Sequence, residues 1–369
     1  MTSTTPELPF SWRMTVLIVL LAIVMHLFAL HALKRRTPRA QAPIDVAILG
    51  DGASYISVGQ QLAGGPEAMR YDRRVFLGFP LVIAGAIRLG MEPQIFSLVF
   101  CTVAWAAFLV LMSHLLGDYG YGVVAAVFPP TMVLDTTMVM NEQLTLLLSV
   151  AGLILALRGG RVELVVAAAL IAYATLVRPV AVFTGAGAAV GVYRAFGMKR
   201  SLAFCVALAV SGLAIHGLVT QLYWSIFESS QIYRTEEGAY GSSGSLFTYP
   251  YGSFVMAIRN GELAQQAFLF KCGIALAGIV CLALLVRRAW RCPTPLHLAL
   301  VTWGLCGYAF VICIGSFWGA RIHPRGLTWI LPCLIAPVVP LIPRRHFGLV
   351  AGGLAVLTLS YLYFAPYSS

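Results

Sequence analysis

Apolar runs about as long as a bilayer crossing recur along almost the whole chain, and few architectures can absorb them. A helix rises about 1.5 Å per residue and must cross roughly 30 Å of hydrocarbon, so about 20 consecutive apolar residues make one span. Such runs lie at 14–33, 95–116, 120–134, 143–157, 162–178, 179–196, 201–224, 267–286, 297–317, 326–342 and 347–364. They do not alternate apolar with polar residues, as the strands of a membrane barrel would. The expected class is all-α: a single polytopic membrane domain over 1–369 with about 11 spans. The sequence is 59% hydrophobic and only 11% charged, too little charge to wet the surface of a soluble domain of this size.

Charge orders the spans. Basic clusters fall at Arg158/Arg161, Arg194/Lys199/Arg200, Arg287/Arg288/Arg291 and Arg344/Arg345, each separated from the next by two spans. All four therefore share one side, and the positive-inside rule makes it cytoplasmic. This use of Lys and Arg accounts for the net charge of +11 without a nucleic-acid partner. The run at 14–33 follows Arg13 and precedes a cleavage-like Ala40-Gln41-Ala42, but it is too long for a signal peptide and is expected to stay as the first helix. The apolar segment 75–89 carries Gly78, Pro80 and Gly85 and is short for a span, so it is expected to lie in the interface; the alternative is a crossing, which would put the basic 34–74 loop in the cytoplasm. On that reading the first external loop covers about 34–94, a second long external loop covers about 225–266, and the carboxyl terminus is external.

Candidate chemistry concentrates on that external face. Only 14 acidic residues occur in 369 positions, and Asp51 stands in a polar loop just after the first apolar run. It suits a general base that takes a proton from an attacking hydroxyl, and equally a cap for a short helix over 52–62. Glu142, in Met140-Asn141-Glu142-Gln143, begins the span 143–157, where the helix dipole favours an acid; it could also act beside Asp51. Asp135 is a weaker candidate. Arg178, followed by Pro179, either snorkels to lipid headgroups or faces a cavity and binds phosphate with its fork of donors. The same choice holds for Arg321, His323 and Arg325, which crowd one external loop against the charge rule. Arg70, Asp72, Arg73 and Arg74 cluster just before the interfacial segment, where a lipid phosphate is the natural partner.

Other features point to packing. His26, His114 and His216 lie within or at the ends of spans and are assigned no role. Tyr233, Tyr240, Phe247, Tyr249 and Tyr251 in the second long loop could stack on sugars or simply populate the membrane interface. Eight cysteines lie mostly in apolar runs without C-x-x-C spacing, so buried thiols are expected in place of a zinc site or a disulfide framework. Signatures for nucleotide-driven transport and for serine or zinc peptidases are absent.

Asp51-Gly52-Ala53-Ser54-Tyr55, followed by Tyr71-Asp72-Arg73-Arg74-Val75-Phe76-Leu77-Gly78-Phe79-Pro80, resembles the first external loop of the GT-C membrane glycosyltransferases. This superfamily includes protein O-mannosyltransferases, aminoarabinose transferases and GPI mannosyltransferases. Glu142 occupies a place similar to the second acid of those families. Arg321-Ile322-His323-Pro324-Arg325, then Leu331-Pro332, is similar to their late arginine-rich motif. The resemblance implies a GT-C-like fold with interfacial helices in the first loop and a polyprenyl-phosphate sugar as donor. It further implies inverting transfer to a hydroxyl on a glycan, lipid or protein, at the external face of what would be a bacterial inner membrane. Asp51 and Glu142 would be the catalytic acids, and Tyr55, Arg73, Arg74, Arg178, Arg321, His323 and Arg325 the substrate-binding residues. No cofactor is implied, although a divalent cation beside the acid stays open. Two other readings remain: a polysaccharide polymerase or ligase using lipid-linked oligosaccharides, and a lipid or solute transporter without a catalytic step.

Overall fold

The computed structural model describes residues 11–36, 51–66, 76–127, 140–227, 265–313 and 327–364; among them there is helix and no strand. The first helices are α1 (Trp12–Arg36), α2 (Asp51–Leu62), α3 (Gly78–Arg88), α4 (Pro93–Leu116) and α5 (Gly120–Val127). α6 (Glu142–Arg158) and α7 (Arg161–Val177) follow, then a 3₁₀ turn at Pro179–Ala181, α8 (Val182–Phe196) and α9 (Met198–Phe227). The last part holds α10 (Gln265–Arg291), α11 (Pro295–Cys313), the short α12 (Leu331–Ile335) and α13 (Phe347–Phe364).

Five helical stretches among the described residues are long and apolar enough to cross a membrane: Trp12–Ala32, Pro93–Leu116, Pro179–Phe196, Met198–Leu222 and Pro295–Cys313. Their ends follow ordinary capping chemistry. α4 starts where the Glu92 carboxylate accepts from the Ile95 amide at 2.6 Å with Pro93 in the first turn. It stops at Gly117, whose φ of 77° is the left-handed conformation a side chain would resist. The shared core runs through Ile18, Trp105, Phe108, Leu153, Ile171 and Trp303.

The sequence leads one to expect two separate spans at 326–342 and 347–364; the structure departs from this. The first of these regions breaks into α12 and a 3₁₀ turn at Val339–Leu341, and Leu331–Leu341 meets Arg344–Ser360 at 105°, so the two together make at most one bent crossing. Pro332, Pro337, Pro340 and Pro343 are the cause: each lacks an amide hydrogen and its ring obstructs the preceding turn. Of the expected span 120–134, only α5 falls within the described residues.

Side-chain bonds sort the helix ends into two groups. At one end the Ser11 amide donates to the Tyr119 hydroxyl at 2.8 Å, joining the start of α1 to the residues just past α4. Tyr121 and Arg288 both donate to the Ala336 carbonyl, at 3.4 and 3.2 Å, which brings in the end of α10. Arg200 donates to the Gly159 carbonyl at 3.1 Å, joining α9's first turn to the glycine that caps α6. The basic clusters within these bonds thus gather at one end. At the other end Tyr173 donates to the Gly78 carbonyl at 2.8 Å, and Arg88 to the Leu62 carbonyl at 3.0 Å.

α1 and α4 consequently run antiparallel, with His26 Nδ1 and Thr102 Oγ1 3.2 Å apart between them. The chain from 37 to 92 must leave and re-enter at the same end. α3 fits that path, since 11 residues reach only about 16 Å. It buries Phe79, Pro80 and Ile83 and packs on α2.

Among the described cysteine side chains, the expectation of buried thiols holds for Cys101 and Cys333; Cys205 and Cys292 are exposed, Cys281, Cys306 and Cys313 are half-buried, and the Cys272 side chain lies outside the described residues. Apolar residues facing lipid are as well solvated as those facing the core, so an apolar run does not say which way its cysteines point.

Candidate active site at the helix ends

The second group of helix ends carries a buried pair of opposite charges. Glu142 is the first residue of α6, fully enclosed at 0% exposure, and its Oε1 lies 3.0 Å from Nη1 of Arg178. The arginine side chain is 13% exposed. Pro179 explains how Arg178 reaches the acid. The residue before a proline is pushed out of the helical region, and Arg178 is extended at φ −155°, ψ 121°, ending α7 and turning the chain toward α6. The acid's position in a first helical turn also meets the positive end of the helix dipole.

Asn141 locks this corner. Its side-chain carbonyl accepts from Arg178 Nη1 at 2.6 Å, and its amide nitrogen donates to the Val177 carbonyl at 2.9 Å. Thr145 closes the first turn by donating to the Asn141 carbonyl at 2.8 Å. Asn141, Glu142 and Gln143 are all buried, so three successive polar side chains sit away from lipid. Buried polar groups are tolerated where they are bonded to one another, and here Val177 and Arg178 at the end of α7 supply partners for Asn141 and Glu142.

The other face of the guanidinium rests on Trp329, with Cζ 4.6 Å from the ring centroid. That ring packs at 6.4 Å on Phe310, which lies 5.5 Å from Phe183. Val180 and Val311 complete the cluster, so the ends of α8 and α11 and the segment before α12 meet at this arginine. Cation–ring attraction is strongest where water is excluded, and Trp329 is 6% exposed.

α2 joins the same corner. Tyr55 is 2% exposed, stands edge-on to Phe79 at 5.5 Å, and shares a cluster with Cys101, Leu144 and Val177. Leu144 is two residues beyond Glu142, and Val177 precedes Arg178. Gly78 makes the fit possible: a Cβ there would lie 2.6 Å from the Val177 amide nitrogen. Asp51 is the first residue of α2, one turn before Tyr55, so its backbone belongs to this end of the bundle. The helix expected over 52–62 is therefore present and begins one residue earlier.

Of the sequence-derived candidates, the structure brings Glu142, Arg178 and Tyr55 to one corner. The Asp51 side chain and Asp135, Arg70, Asp72, Arg73, Arg74, Arg321, His323 and Arg325 lie outside the described residues, as do the aromatic residues of the second long loop. Sequence reasoning gave no role to Asn141, Trp329 or Tyr173. Asn141 carried a signal, an amide side chain directly before a helix start, where such residues gather; Trp329 carried none beyond being aromatic.

His26 and His216 behave as packing residues bonded to Thr102 and Thr175. Among the described residues no group of three or more His, Cys, Asp or Glu side chains could hold a metal ion.

Chemically the corner offers a carboxylate, and a guanidinium whose Nη1 is engaged by Glu142 and Asn141. Among the described residues its Nε–Nη2 edge makes no hydrogen bond. That edge matches two oxygens of a phosphate or carboxylate. No protein-family model matches this sequence, and neither does any curated protein.

Proposed function

We propose that the chain is a GT-C-like membrane glycosyltransferase that moves a sugar from a polyprenyl-phosphate donor to an acceptor hydroxyl at the Glu142–Arg178 end of the bundle. The observation that carries this reading is the shared corner. The helix that Asp51 begins shares, through Tyr55, one buried cluster with Leu144 and Val177, which lie within two residues of Glu142 and Arg178. A general base and a phosphate-binding guanidinium are the two parts such a transfer needs, because phosphate is already a good leaving group.

In the proposed reaction Asp51 takes the proton of the acceptor hydroxyl as its oxygen bonds to the anomeric carbon. The bond from that carbon to the phosphate oxygen breaks, and the electron pair leaves on the polyprenyl phosphate. Attack opposite the leaving group inverts the anomeric centre. Arg178 steadies the charge appearing on phosphate, while Glu142 holds the guanidinium in place. The positive-inside rule puts the gathered basic clusters in the cytoplasm, and hence this corner on the external face of the membrane.

The test is transfer of labelled sugar from polyprenyl-phosphate donors by the full chain in lipid nanodiscs. Asp51→Asn is expected to abolish transfer without lowering the unfolding temperature. Unchanged turnover in that variant removes the base role. Transfer only from lipid-linked oligosaccharides moves the assignment to a polymerase or ligase.

A further inference from the structure

The indole of Trp329 does two things at once. Its face carries the Arg178 guanidinium at 4.6 Å, and its Nε1–H is a buried donor without a hydrogen-bond partner among the described residues. Buried tryptophan N–H groups nearly always find an acceptor, because leaving one unmade is costly. The Nε–Nη2 edge of the stacked guanidinium is a second set of donors without a hydrogen bond among the described residues. Both belong to one stacked pair, and neither is an acceptor. What would satisfy both is a group bearing several acceptor oxygens on one small centre.

We infer that Trp329 is a ligand-binding residue. Its indole N–H and the Nε–Nη2 edge of Arg178 together grip the oxygens of a single phosphate group. Glu142 and Asn141 hold the opposite edge of the guanidinium and so fix its plane against the ring; the Glu142 carboxylate also opposes an arriving anion, which makes the hydrogen-bond donors, more than net charge, the source of affinity. A polyprenyl phosphate and free inorganic phosphate share this chemistry. The lipid as source rests on the glycosyltransferase reading, whereas the role of Trp329 does not.

The experiment measures binding to the full chain in nanodiscs by native mass spectrometry, with polyprenyl phosphate, the uncharged polyprenol and inorganic phosphate as probes. Trp329→Phe keeps a ring for the guanidinium but removes the N–H, and is expected to weaken polyprenyl-phosphate binding roughly tenfold. Replacing Trp329 with 3-benzothienylalanine, a near-isostere without the N–H, should give the same loss, and it carries the test if the Phe variant fails to fold. Trp290→Phe, at an 88% exposed ring, should bind as the parent does. Parental affinity in the benzothienylalanine protein overturns the inference, as does equal affinity for polyprenol. If inorganic phosphate binds as tightly as the lipid and with the same dependence on residue 329, the phosphate site stands and the lipid donor falls. Binding that follows residue 329 without any sugar transfer likewise keeps this inference while removing the proposed function.

Discussion

Arg178 and the arginines of the basic end are held in opposite ways, although Arg88, near Arg178's end, also donates to a helix-terminal carbonyl, that of Leu62, at 3.0 Å. At the basic end, Arg200 and Arg288 donate to carbonyls at or near helix termini, Gly159 and Ala336, and Arg200 also covers the Phe196 ring at 5.0 Å. These cations sit where helix dipoles leave negative charge, with no carboxylate partner among the described residues, and Arg200 is exposed. At the other end, Arg178 is almost enclosed and is held by a fully buried carboxylate, an amide and an indole face. The lesson concerns cost. An exposed cation on a backbone carbonyl asks little of the fold, while a buried pair is tolerated only if every partner is in place. Charge kept at that expense is a reason to seek function there.

The contrast can be broken most sharply at Arg178. Replacing it with Met leaves Glu142 buried opposite an apolar chain, and the fold should lose about 3–5 kcal/mol, read from denaturant unfolding in detergent. Adding Glu142→Gln should recover part of that loss; no recovery would mean that the pair is not the source of the cost.

A smaller effect is expected at Gly78. Its added Cβ would meet Val177 backbone atoms at 2.6 and 2.7 Å, which cannot swing aside, so Gly78→Ala should cost about 1–3 kcal/mol. Tyr173→Phe removes only the bond to the Gly78 carbonyl, for about 0.5–1.5 kcal/mol by the same unfolding measurement. Last comes the basic end, where Arg200→Ala should stay within about 1 kcal/mol. Raising salt should shrink that already small difference, yet leave the Arg178→Met deficit nearly unchanged, because buried pairs are poorly screened. Equal salt sensitivity at both ends would erase the distinction.

Much of this architecture was legible in the residues. The runs at 95–116, 143–157, 162–178 and 201–224 became Pro93–Leu116, Glu142–Arg158, Arg161–Val177 and Met198–Phe227, because Pro, Gly and charged residues mark helix ends whatever the surroundings. The run at 326–342 misled, since hydropathy weighs composition and is blind to three prolines that deny helical hydrogen bonds. For the site, Glu142 and Arg178 stood out as charges beside apolar runs. That they face each other did not, because 36 residues and a full helix hairpin separate them. Trp329 was out of reach for the same reason, lying on a segment brought alongside only by packing of α8 and α11.

The sequence by itself determined that this is a helical chain with apolar runs of membrane length, since those properties are local and follow from hydrocarbon thickness. Which charges become partners, which cysteines face lipid, and which ring lies under the guanidinium were decided only by tertiary packing. A bilayer rewards apolar surface equally inside and outside the bundle, so only close contact between helices could choose.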